Sequence, residues 1–184
     1  MNLVTEDIIE KWKKAVGPEV AEKESKYALN RGSVIHEMVE QYLNNAPELE
    51  VLAGKNFNFQ LIFKQLKPFV NHIDRIRAQE TALYSDLFRV GGRCDCIADY
   101  KGTLSIIDFK GSKKAKSKED IPQYFMQTAF YAYAFYERTG IKIPQCVILM
   151  ADEAGGAQEF IESPRDWWAP LKEWRKKYAV RFGI

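Results

Sequence analysis

Three cysteines in 184 residues leave little room for cysteine chemistry. Cys94, Cys96 and Cys146 are one short of the four thiolates that hold the usual iron–sulfur cluster, so none is expected. The same scarcity argues against a disulfide framework and for a reducing compartment. No run of about 18 apolar residues occurs, so no helix is expected to span a membrane. The opening MNLVTEDIIEKWKK has neither the apolar centre of a signal peptide nor the acid-poor character of a transit peptide, which favours the cytoplasm. A strong excess of one charge is lacking too. A net charge of +2 and a pI near 8.3 do not by themselves identify a polyanionic partner. No internal repeat or low-complexity tract stands out, and no protein partner is evident.

What remains is ordinary globular composition, 46% hydrophobic and 28% charged, in a length that suits one domain over 1–184. Residues 6–44 read as largely helical, with breaks at Gly17-Pro18 and near Asn30-Arg31-Gly32, and Asn44-Asn45-Ala46-Pro47 ends that unit. Residues 57–79 read as a second helix that Pro68 kinks or delays. From Gln79 to Lys110 the pattern turns to strands, in ETALYS, RVGGRCDCIADY and LSIIDFK. The polar loop GSKKAKSKEDIP leads to an aromatic-rich helix over 121–138, closed by Thr139-Gly140. PQCVILMA reads as a buried strand, and Ser163-Pro164 opens a last helix. The expected class is α/β, a central mixed sheet flanked by helices. A mainly helical part (1–80) would precede the sheet core (81–160) and a C-terminal helix (161–184).

The stretch GGRCDCIADYKGTLSIIDFKGS, residues 91–112, is unusual because it sets an aspartate inside each of two adjoining strands. Aspartate is a poor strand residue, and facing like charges destabilise a pair of strands. If Lys101-Gly102 forms a two-residue turn, Tyr100 pairs with Thr103, and counting outward puts Asp95 opposite Asp108 on one face. Lys110, two residues on, shares that face. A one-residue bulge would shift this register. The two Cβ atoms would then lie about 4.5–5.5 Å apart. Unpaired, the carboxylates would repel; a hard divalent cation such as Mg²⁺ removes that repulsion. The plainer alternative is two surface aspartates with Lys110 as a salt-bridge partner.

Asp95, Ile107-Asp108-Phe109-Lys110 and the helix segment Gln127 to Tyr131 together resemble the G-x-x-D, D-x-K and Q-x-x-x-Y motifs of the PD-(D/E)XK nuclease superfamily, in its RecB-type branch. Upstream, Arg31-Gly32-Ser33-Val34-Ile35-His36-Glu37 resembles that branch's helical histidine motif, and Glu80 falls where an acidic residue often precedes the first aspartate. IEKWKK, DCIADYKGTLSIIDFKGSKKAK and the tryptophan-rich tail are similar to the mitochondrial genome maintenance exonuclease group and its phage relatives. One departure stands out: Gly111-Ser112 follows the lysine where the family commonly has Thr-Ser.

The resemblance implies a restriction-endonuclease-like core and a Mg²⁺- or Mn²⁺-dependent deoxyribonuclease that hydrolyses phosphodiester bonds. It would act as an exonuclease on single-stranded DNA or frayed and flap ends, in replication, repair, recombination or degradation of DNA. The setting would be a bacterial or phage-infected cell. Asp95 and Asp108 would be metal ligands with the Phe109 backbone carbonyl, His36 a further ligand and Lys110 the catalytic lysine. Glu80 would serve a second ion or a water, or is simply solvated. Gln127 and Tyr131 would contact phosphate or brace the lysine, with Gln123 and Tyr124 beside them. Arg31, Arg93, Ser112, Lys113 and Lys114 are candidates for nucleic-acid contact, and Lys116 and Lys118 extend that loop; a solvated lysine loop is the plain alternative. Trp12, Trp167, Trp168 and Trp174 suit packing better than base stacking. A structure-specific endonuclease on the same core, and a nucleic-acid-binding module without cleavage, are the competing functions.

Overall fold

The computed structural model describes residues 3–182, with side chains from residue 10 to residue 180. Helix α1 (Leu3–Val16) stops at Gly17, whose φ of 86° is open to glycine at no steric cost, and Pro18 begins α2 (Pro18–Leu43). The second expected break does not occur: α2 runs unbroken through Asn30-Arg31-Gly32. Its buried Arg31, Ile35, Met38 and Val39 fix it against the rest of the molecule, and that packing outweighs the poor helix propensity of Gly32. A short helix, α3 (Glu48–Leu52), follows, then α4 (Phe57–Val70), which accommodates Pro68 near its end.

The expected helix over 57–79 is half right. Asn71 caps α4, and strand β1 (Ile73–Ser85) starts two residues later. The apolar spacing of Ile73 and Ile76 continues the helical pattern, but strand pairing wins. Arg75 and Arg77 close onto the two oxygens of buried Asp99 on the next strand, at 2.7 and 2.6 Å. The register with that strand slips between Asp74 and Ala78 to allow it.

Strands β2 (Val90–Tyr100) and β3 (Thr103–Ser112) form the hairpin read from the sequence. Lys101 and Gly102 both have positive φ, 50° and 80°, as a tight two-residue turn requires. Tyr100 pairs with Thr103, and the same register continues outward to Cys96 and Ile107. Helix α5 (Pro122–Thr139) crosses over to β4 (Gln145–Asp152), which runs parallel to β3, and β5 (Ala157–Glu162) returns antiparallel along the edge. The sheet order is β1-β2-β3-β4-β5, a mixed sheet. A turn of 3-10 helix at Pro164–Trp167, with the Ser163 side chain as its cap, precedes α6 (Trp168–Phe182).

Two cores sandwich the sheet. On one face Ile35, Met38, Phe63 and Leu66 of α2 and α4 meet Ile107, Phe109 and Val147. On the other, Phe130 and Ala134 of α5 and Leu171 of α6 meet Cys94, Ile97 and Ile106. The three cysteines are buried thiols in these layers. Among the described residues no helix is long and apolar enough to cross a membrane.

Candidate active site

Pairing between β2 and β3 stops at Cys96 and Ile107, one step short of Asp95 and Asp108. There the Asp95 carboxylate takes over from the ladder, its Oδ2 accepting the Phe109 backbone N–H at 2.9 Å. Cys94 and Cys96, which a regular strand would put on one face, lie in opposite cores, so β2 breaks its alternation at Asp95. On the far side, Glu80 falls between the pairs Gln79–Cys96 and Thr81–Cys94, level with Asp95. Its φ of 45° is a left-handed conformation that costs a non-glycine residue about 1–3 kcal/mol. Glu80, Asp95 and Asp108 therefore stand abreast on three neighbouring strands.

Helix α2 adds the imidazole. His36 Nε2 lies 2.8 Å from the Phe109 carbonyl oxygen and 3.5 Å from Asp95 Oδ2, while Nδ1 is 3.7 Å from Glu80 Oε1. A carbonyl only accepts, so Nε2 carries the proton and donates it. One ligand atom each from His36, Glu80 and Asp95 falls within 4.8 Å of the others, a spacing one cation can bridge.

Asp108, 2% exposed, faces Lys110, whose Nζ sits 2.7 Å from Oδ1 and 2.6 Å from Oδ2. Only Oδ1 has hydrogen-bond geometry; Oδ2 is buried without a donor. Burial pushes the Asp108 carboxyl up to about 6, with the Lys110 ammonium opposing and Asp95 adding. Burial works against the charge on Lys110, yet the carboxylates of Asp108 and Asp95 hold its pKa above the ordinary value. The Lys110 ammonium also lies 5.2 Å from the centre of the Tyr124 ring.

The remaining candidates separate. Arg93 is exposed, at the rim, 3.8 Å from Glu80 Oε2. Arg31 is buried and pairs with Glu153 at 2.6 Å, so its charge faces inward. Ser112 is buried and donates to the Lys114 carbonyl at 2.7 Å. Lys113 is bound to Glu24, while Lys114 stays exposed. Tyr131 is packed over Gly92, and Gln127 Nε2 approaches its hydroxyl at 3.4 Å. Burial raises the Tyr131 hydroxyl to about 12, which keeps it protonated. Trp167 stacks on Phe125, and Trp168 packs against Phe88 and Tyr133. Of the two minor candidates on α5, Tyr124 is the one that meets Lys110. It lies seven residues before Tyr131, on the same helical stripe, and that spacing is the signal that could have promoted it.

The model of the PD-(D/E)XK nuclease superfamily matches residues 11–177 of this chain. The chain is 28% identical over 127 residues to human mitochondrial genome maintenance exonuclease 1, covering 67% of this chain and 35% of that protein. The mouse protein of the same name is 27% identical over 112 residues, covering 59% and 32%. The chain thus spans about a third of the length of these relatives. A crystal structure of a Eubacterium rectale protein provisionally named an exonuclease superposes with a TM-score of 0.58 at 17% identity. It covers 84% of this chain and 65% of the other, and is a likeness of fold.

Proposed function

The chain belongs to the PD-(D/E)XK nuclease superfamily, and from that premise we propose that it is a divalent-cation-dependent deoxyribonuclease acting as an exonuclease on single-stranded DNA or frayed and flap ends. The observation that carries the reading is the convergence of Asp95, Asp108 and Lys110 with His36 and the Phe109 carbonyl at the point where β2 and β3 part. The relatives named as exonucleases favour removal from ends over internal cutting.

The residues fit a cation. Three carboxylates face one buried ammonium and one rim guanidinium, an excess of negative charge. Carboxylate and carbonyl oxygens suit Mg²⁺ and Mn²⁺, and the single imidazole tilts the set toward Mn²⁺. His36, Glu80 and Asp95 would hold the ion, and Asp108 and the Phe109 carbonyl would join them once released from Lys110 and from His36 Nε2. When bound, a divalent cation there would polarise a phosphate and make water a better nucleophile. Lys110 places a fixed positive charge beside Asp108, where it can stabilise charge developing on a phosphate oxygen. The Tyr124 ring and the two carboxylates keep that charge in place. Glu80, with His36 at its carboxylate, can orient a water or accept its proton. Such an activity would serve replication, repair, recombination or degradation of DNA.

The test is degradation of end-labelled linear single-stranded DNA with Mg²⁺ or Mn²⁺, comparing wild type with Asp108→Ala. A circular single strand, a duplex and an RNA strand run alongside. Metal-dependent loss of the linear strand, a spared circle and a dead variant are expected. Cutting of the circle would replace the exonuclease reading with an endonuclease, and turnover by Asp108→Ala would overturn the site.

A further inference from the structure

The loop from β3 to α5 carries Lys113, Lys114, Lys116 and Lys118 directly after the lysine of the site. A polar surface loop of this kind is ordinarily mobile. Here it is tied down at close intervals. The Ser112 hydroxyl donates to the Lys114 carbonyl at 2.7 Å. Gln158, on β5, grips Lys116 through both ends of one amide: Oε1 accepts the Lys116 N–H at 2.9 Å, and Nε2 donates to the Lys116 carbonyl at 2.8 Å. A single side chain thus supplies the pair of bonds that a neighbouring strand would. Ser117 and Asp120 close the loop with a reciprocal cap.

Two of the four lysines are spent on partners, Lys113 on Glu24 and Lys118 on Glu162. Among the described residues, no carboxylate lies within ion-pair distance of Lys114 or Lys116. The Lys116 backbone is held by Gln158 and the Lys114 carbonyl by Ser112. Lys114 follows Lys110 by four residues, so their Cα atoms are at most about 14 Å apart. Attraction to phosphate is electrostatic, and a loop already ordered loses little entropy when it binds.

We propose that Gln158 is a positioning residue for substrate, holding Lys116 where its ammonium group contacts a phosphate of the nucleic-acid strand engaged at the site, beside Lys114, whose carbonyl Ser112 holds. This inference rests on the nuclease reading and adds to it the residue that organises the strand contact.

Binding of a fluorescein-labelled single strand of about 20 nucleotides, read by anisotropy in EDTA across a salt series, tests it apart from cleavage. The proteins are wild type, Gln158→Met, the Lys114→Ala/Lys116→Ala pair and the triple variant. The lysine pair should bind more weakly, with a salt slope shallower by about 1.4, since each single-strand phosphate contact contributes roughly 0.7. Gln158→Met should flatten the slope by about 0.7, the share of Lys116, although every lysine remains, and the triple variant should bind no more weakly than the lysine pair. In turnover, KM should rise with kcat within about twofold. A wild-type slope in Gln158→Met or in the lysine pair overturns the proposal, as does a triple variant whose losses add. If Gln158→Met does not fold, the shorter amide of Gln158→Asn keeps the site neutral and withdraws both bonds from Lys116, and the same slope criterion decides. A wild type that binds but never cleaves would defeat the nuclease reading, and the salt slopes would still judge Gln158.

Discussion

Replacing Gly111 with the threonine common in the family should harm this protein, because Arg31 already fills the space. A Cβ at Gly111 would sit 3.3 Å from Arg31 Cγ and 3.4 Å from Cδ and Nε. Arg31 has little freedom to give way: its side chain is 9% exposed, and Nη1 holds Glu153 at 2.6 Å. Its Nε is buried without an acceptor, and the guanidinium lies 5.8 Å from the centre of the Tyr27 ring. Threonine adds two more heavy atoms beyond the Cβ. Overpacking of this kind costs about 1–3 kcal/mol, with further loss if Glu153 is left unpaired. Against this, losing the freedom of glycine in the unfolded chain returns about 0.4–1 kcal/mol, since Gly111 is not left-handed. The balance is a loss of roughly 1–2 kcal/mol for Gly111→Thr and near neutrality for Gly111→Ala. For a chain of this length that lowers Tm by about 2–8 °C. Calorimetry on wild type, Gly111→Thr, Arg31→Ala and the double variant gives the coupling. With Arg31 truncated, threonine enters vacated space with a better strand propensity, so the substitution should raise Tm relative to Arg31→Ala alone. A stabilising Gly111→Thr in the wild-type background, or an equal loss in both backgrounds, would refute the packing argument.

Two further outcomes follow from the same geometry. Gly92→Ala should cost about 2–3 kcal/mol in a urea titration, because its Cβ would meet the Tyr131 hydroxyl at 2.7 Å and ring carbons at 3.1 and 3.3 Å. Tyr131→Phe removes the nearest of these atoms and should restore part of the loss; a fully stable Gly92→Ala would show that Tyr131 is free to move. The Asp108 carboxyl, raised to about 6, makes protons and cations compete, so Mn²⁺ affinity by calorimetry should fall toward tenfold per pH unit once the pH drops below about 6. In EDTA the sign reverses: a raised carboxyl contributes stability below its unfolded pKa and loses it as the pH rises through about 6, so this group favours the metal-free fold in acid. An affinity unchanged between pH 7 and 5 would remove Asp108 from the cation site.

The hairpin carrying Asp95 and Asp108 was legible because a tight turn and a period of two leave one register, and Lys101 and Gly102 adopt the backbone that register needs. The ladder ends at Cys96 and Ile107, so the direct pairing expected for the two aspartates is not reached. The neighbouring positions of Gln127 and Tyr131 were legible from helical spacing, but the same spacing pointed one turn back to Gln123, whereas Tyr124 is the residue that meets Lys110. Other features depend on partners distant in sequence. Arg31 pairs with a residue 122 positions away, and nothing local marks a helical arginine as buried. β1 begins where it does because Asp99 draws in Arg75 and Arg77, a tertiary contact that overrides a local apolar pattern. β5 was passed over although Gly155-Gly156 precedes its short run, a turn signal that the sequence did contain. The strained backbone at Glu80 had no signal at all, since it answers to the irregularity of β2 across the ladder.

These features bear on why a sheet tolerates carboxylates inside its strands. The β2–β3 ladder ends at Cys96 and Ile107, and the next buried backbone donor, Phe109 N–H, goes to Asp95 rather than to a strand carbonyl. An unpaired buried N–H is costly, so Asp95 serves the sheet's own hydrogen bonding while its carboxylate faces His36 and the proposed cation site. Asparagine at this position could keep an acceptor for Phe109 N–H and lose the charge, whereas alanine would lose both. Fold and site therefore separate at Asp95 only through the isosteric change.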